Sequence, residues 1–102
     1  MTERKSPTYD LEKIKKAFDH PNKLVMTYSA KQGQVALDFS DQDVVDVIQA
    51  LTENDFYKSM SPRANDFVAW QDVYKSSFNT VELYIKFQIN NKKELILSFK
   101  ER

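Results

Sequence analysis

Four side chains near the end of the chain have the types and spacing to hold an anion: Tyr84, Lys86, Ser98 and Lys100. Two ammonium groups can neutralise a phosphate, and a phenol and a hydroxyl can donate to its oxygens. Their placement follows from the strands that carry them. Val81, Leu83, Ile85, Phe87 and Ile89 alternate with Glu82, Tyr84, Lys86 and Gln88, the period of a half-buried strand. Leu95, Leu97 and Phe99 alternate in the same way with Ile96, Ser98 and Lys100. Facing residues of an antiparallel pair share a side, so the four polar residues lie together on the face turned away from the apolar stripe. A loop at Asn91–Lys93 sets Tyr84 opposite Lys100; a loop at Asn90–Lys92 sets it opposite Ser98 and diagonal to Lys100. The bland reading of the same residues is a solvated sheet face, because lysine blunts aggregation there and tyrosine is common in strands.

Other candidates carry less. His20 is the sole histidine, which excludes a two-histidine acid–base pair; beside Pro21 at a helix end, a dipole contact accounts for it. Asp41, Asp43 and Asp46 sit at a helix start with no histidine near them, a capping pattern rather than a metal site. Trp70 suits either base stacking or the core. With no cysteine, disulfides, thiolate zinc sites and cysteine nucleophiles are excluded, and one glycine excludes a Gly-rich phosphate loop.

The elements that must position these residues read as follows. Thr8 is the expected N-cap of a first helix, with Asp10 in its first turn and Leu11, Ile14 and Phe18 on one face. His20-Pro21-Asn22 ends it. Lys23–Ser29 is β-rich and reads as a strand, and Ala30–Leu37 is open between a turn and a short broken helix at Gly33. Ser40 with Asp43 forms a capping box ahead of the stripe Val44, Val47, Ile48 and Leu51, and Thr52 with Asp55 repeats the pattern over a short turn. Strands are expected over Tyr57–Ser61, Phe67–Lys75, Thr80–Ile89 and Glu94–Lys100. The fold class is therefore α+β, with early helices packed on one face of a mostly antiparallel sheet.

The chain has 102 residues, the size of one domain, and 41% hydrophobic residues suffice for one core. Lys+Arg and Asp+Glu number 15 each, so a globally basic nucleic-acid coat is excluded, though not a local basic site. Residues Met1–Asp55 carry a net charge of −3 and Phe56–Arg102 a net +3, so an anionic ligand favours the second half. No apolar run reaches the ~20 residues of a membrane helix, and the start lacks an apolar leader core; the expectation is a soluble cytoplasmic protein with no membrane partner.

Four ordered blocks carry a resemblance: Asp55-Phe56-Tyr57-Lys58-Ser59-Met60, Trp70-Gln71-Asp72-Val73-Tyr74, Leu83-Tyr84-Ile85-Lys86, and Leu95-Ile96-Leu97-Ser98-Phe99-Lys100-Glu101. In these the chain resembles the MqsR family of bacterial toxins, within the RelE-like group of mRNA interferases. Lys31–Gln34 and Lys75-Ser76 depart from that pattern. The resemblance implies a RelE-like two-layer α/β sandwich over residues 1–102. It implies a ribosome-independent endoribonuclease that cuts mRNA at GC-containing triplets. It further implies a cognate zinc-binding, helix-turn-helix antitoxin, through which any DNA contact would be made. By the same resemblance Lys58, Gln71, Tyr84 and Lys100 are the catalytic candidates; Lys86, Ser98 and Arg63 are the substrate-binding candidates, and neither metal nor cofactor is expected.

Such a site would use the substrate's own 2′-OH as nucleophile and leave a 2′,3′-cyclic phosphate and a 5′-OH. A lysine can act as base there only if its pKa falls, which clustering of Lys58, Lys86 and Lys100 would favour. If the third strand is regular, Gln71 shares a face with Val73, and Asp72 is then buried and needs hydrogen-bond donors. A bulge is the other solution. The competing functions are a non-catalytic RNA- or protein-binding module on the same face, and an adaptor whose acidic Val35–Tyr57 stretch docks a basic partner.

Overall fold

The computed structural model describes residues 3–61, 69–90 and 92–102. Its strands are β1 Glu3–Arg4, β2 Phe56–Met60, β3 Gln71–Phe78, β4 Val81–Ile89 and β5 Leu95–Glu101. They form one antiparallel sheet in the order β1-β2-β3-β4-β5. The helices α1 Leu11–Ala17, α2 Tyr28–Ala36 and α3 Asp41–Gln49 precede all but the first of these strands. The α+β class and the early placement of the helices are as the sequence pattern indicates.

One sheet face is the core. Leu83, Ile85 and Phe87 of β4 and Leu97 and Phe99 of β5 are buried there, with Tyr74 of β3. Leu11, Ile14 and Phe18 from the first helical region and Val44, Val47, Ile48 and Leu51 from the region of α3 close over them. The phenyl groups interlock as edge-on and stacked pairs, Tyr74 with Phe87 and Phe18 with Phe87 among them. That face removes its apolar residues from water and leaves the opposite face to mostly polar ones around Val73 and Met60.

Both cap patterns form. Ser40 Oγ accepts from Asp43 N–H while the Asp43 carboxylate accepts from Ser40 N–H, and Asp55 closes the Thr52 turn over Glu53–Asp55. The first helix starts later than expected: Asp10, not Thr8, is its N-cap and accepts from Glu12 N–H. Thr8 Oγ1, the atom a cap would use, is engaged instead by Arg4 and by Ser59 Oγ, while its N–H donates to Asp72.

The expected strand at Lys23–Ser29 does not form. Pro21–Lys23 is a 3₁₀ turn capped by His20, whose Nδ1 accepts from Asn22 N–H rather than meeting a helix C-terminus. Only a single parallel bridge, Met26 to Leu97, survives of the β-rich stretch. Thr27 then caps α2 by accepting from Ala30 N–H, and the ambiguous Ala30–Leu37 stretch is helical through Gly33. The third strand begins at Gln71 and runs to Phe78, not over Phe67–Lys75; positions 67 and 68 lie outside the described residues. Among the described residues no helix is long and apolar enough to cross a membrane.

Candidate functional site

The β4–β5 register sets Tyr84 opposite Lys100 and Lys86 opposite Ser98, the arrangement of the longer of the two loops. On the other side of β4, Lys75 pairs with Tyr84 and Val73 with Lys86. Two rows therefore cross the face opposite the core: Lys75–Tyr84–Lys100, and Lys58–Val73–Lys86–Ser98.

Strict alternation would send Tyr57 to the side opposite Lys58. The β2–β3 register instead slips between Phe56 and Lys58, which pair with Tyr74 and Val73. This bulge lets two consecutive residues serve the same face. Tyr57 stacks on Tyr84 with ring centroids 6.3 Å apart, and Lys75 Nζ lies 3.8 Å over the Tyr57 ring. Lys58 Nζ is 5.1 Å from that ring, and Lys100 Nζ is 6.0 Å from the Tyr84 ring. Tyr57, Lys58, Met60, Val73, Tyr84, Lys86 and Lys100 line a depression of about 200 Å³. Cation–π contacts hold the ammonium groups over aromatic faces instead of letting them splay into solvent.

Gln71 opens β3 opposite Met60, on the side of Val73, and is nearly buried. It borders the depression through Met60 and is not one of its lining residues. Ser98 lines a separate groove between α2 and β5, which also touches Lys86 and Lys100. Arg63 lies outside the described residues.

The bulge falls in β2, so β3 stays in regular register from Asp72 to Phe78 and Asp72 is buried as parity requires. Its carboxylate accepts from Thr8 N–H at 2.9 and 3.0 Å, Tyr9 N–H at 2.8 Å and Ser59 Oγ–H at 2.7 Å. Tyr74 is core, but Trp70 is not: it is half-buried beneath the Arg4 guanidinium, 3.8 Å from the ring centroid.

Lysine clustering does not lower Lys58. Glu3 Oε2 accepts from Lys58 Nζ at 2.6 Å and holds the ammonium above its ordinary pKa, the reverse of the expected shift. Lys58 thus carries charge and protons into the site and is poorly suited to be a base. Among the described residues no group of three or more His, Asp or Glu is arranged to hold a metal ion.

Sequence reasoning missed Tyr57, Lys75 and Glu3. Lys75 was readable, two positions beyond Val73 on the face assigned to Gln71. Tyr57 was hidden by the bulge, and Glu3 by a separation of 55 residues from its partner.

Residues 6–101 match the family described as "Motility quorum-sensing regulator, toxin of MqsA". The chain belongs to this family. A curated relative is the mRNA interferase toxin MqsR of Escherichia coli (strain K12), 35% identical over 102 residues, covering 98% of this chain and 99% of the relative. As an MqsR-family toxin, the protein carries its tyrosine–lysine rows within the matched region, while Glu3 lies ahead of it.

Proposed function

We propose that this MqsR-family enzyme cleaves mRNA in the cytoplasm, independently of the ribosome and of metal ions, at GC-containing triplets. Its partner is a cognate zinc-binding, helix-turn-helix antitoxin; the family's description names MqsA as the antitoxin. The observation that carries the reading is the Lys75–Tyr84–Lys100 row, a phenol between two lysines, its ring stacked on Tyr57.

In the reaction the 2′-oxygen of the substrate attacks the adjacent phosphorus and the bond to the 5′-oxygen breaks. The 2′ proton passes to a base and the leaving oxygen takes one from an acid, which gives a 2′,3′-cyclic phosphate and a 5′-OH. Lys58 and Lys100 stabilise charge on the phosphorane, with Lys58 held in its charged form. Tyr84 orients the 2′-OH or the phosphate, Gln71 holds a phosphate oxygen or base edge, and Lys86, Ser98 and Arg63 bind flanking backbone.

The purified protein incubated with a defined RNA in excess EDTA should cleave it, and end mapping should find cyclic phosphate and 5′-OH termini. Cleavage abolished by EDTA and restored by Mg²⁺ would refute the metal-independent mechanism, and binding without products would favour a non-catalytic module.

A further inference from the structure

The segment ahead of α1 is not a frayed terminus. Glu3 pairs with Met60 and Arg4 with Ser59 on the outer edge of β2. A two-residue strand has little stability of its own, so the ties beyond it decide its position. Thr8 and Tyr9 amides donate to the buried Asp72, Thr8 Oγ1 lies 2.9 Å from Ser59 Oγ, and Tyr9 Oη donates to the Trp70 carbonyl at 2.6 Å. With Arg4 over Trp70, the segment is fixed at both ends, and it delivers Glu3 to Lys58 and Lys5 to within 5.6 Å of the Tyr57 ring centre.

We propose that Glu3 is a positioning residue for cleavage: its carboxylate fixes the Lys58 ammonium at the rim of the depression, so that Lys58 meets the scissile phosphodiester already in place. This rests on the nuclease reading above. A free lysine side chain carries rotamer entropy that reaching the transition state would otherwise have to overcome. The Glu3 bond takes one of three ammonium protons and leaves two for phosphate oxygens. Glu3 also keeps Lys58 protonated against the desolvation of its partly buried position. Among the described residues, the groups gathered around Lys58 are Glu3 and Lys5 from the N-terminal segment, Tyr57 on its own strand, Lys75 of β3, Tyr84 and Lys86 of β4, and Lys100 of β5. Glu3 is the carboxylate in that set, so its removal takes away the counter-charge that holds the proton. The same carboxylate repels RNA phosphates, so neutralising it should not weaken substrate binding.

The test is steady-state cleavage of a defined RNA by the wild type, Lys58→Ala and Glu3→Gln, with kcat and KM separated and pH varied. Lys58→Ala should abolish cleavage; full activity in that variant would topple the nuclease site itself and this inference with it. Given an inactive Lys58→Ala, Glu3→Gln should lower kcat by about tenfold or more, the scale on which misplaced catalytic groups act. KM should not rise, the thermal midpoint should hold, and the alkaline limb of kcat should move to lower pH. An unchanged or increased kcat, a loss confined to KM, or an alkaline limb left in place would overturn the role of Glu3 while leaving the nuclease reading standing.

Discussion

Tyr84 and Lys100 stand directly opposite each other across two strands, and the arrangement gives each a separable contribution. Tyr84→Phe keeps the ring that stacks on Tyr57 but loses the hydroxyl; Lys100→Ala loses the charge. Each should lower kcat by about 100-fold or more, the cost of removing one preorganised donor from a developing oxyanion. RNA affinity, measured with a non-cleavable 2′-deoxy substrate, should fall far less. Equal losses in affinity and rate would mean that these residues only bind. Tyr74, on the core side, makes a different statement. Burial, with the nearby Asp72 charge second, pushes its phenol from 10.0 up to about 12. A raised tyrosine pKa means that its contribution is complete below pH 10 and is lost as pH climbs toward 12, because the unfolded chain ionises first. The loss is of order 2 kcal/mol. Urea midpoints of the wild type and Tyr74→Phe should therefore diverge over that window, with the wild type falling faster; parallel curves would exclude the phenol as the cause.

At the scale of elements, the hairpin joining β3 to β4 carries visible strain. Asn79 and Thr80 form its two-residue turn with φ of 49° and 67°, a left-handed pair in which a β-branched residue is disfavoured. Thr80→Gly should stabilise the fold by about 0.5–1 kcal/mol, read as a higher denaturation midpoint with unchanged cleavage. The elements also show which local signals survive folding. Ser40 with Asp43, and Thr52 with Asp55, satisfy backbone donors within three residues, so nothing distant competes and both caps form where they read. Leu24 to Tyr28 has the composition of a strand, yet the edge of β5 accepts only one bridge at Met26. Thr27 then commits the following residues to a helix that packs on β5. A β-branched run states a preference, while the available sheet edge decides whether it is realised.

Over the whole molecule, zero net charge hides a polarised surface. Lys58, Lys75, Lys86 and Lys100 converge on one face, whereas Glu12, Asp41, Asp43 and Asp46 sit on the helices. RNA binding should accordingly be strongly salt-dependent despite the neutral chain, with a log–log slope near −2.8, about −0.7 per phosphate contacted by the four lysines. Replacing any one of them by alanine should flatten that slope by about 0.7. A slope that does not change would place the RNA elsewhere.

The sequence by itself determined the α+β class, the family, and the common face of Tyr84, Lys86, Ser98 and Lys100, because period-two alternation and short-range caps are written in adjacent residues. It also left a buried Asp72 in need of donors as one of two solutions, the other being a bulge, and it did not show that Thr8, Tyr9 and Ser59 would supply those donors. Only the tertiary structure decided that the bulge lies in β2, that Tyr57 turns toward the lysines, and that Glu3 rather than a neighbouring lysine governs the charge of Lys58. These are contacts between segments far apart in the chain. They leave no local period to read, and they come into being when the strands are laid side by side.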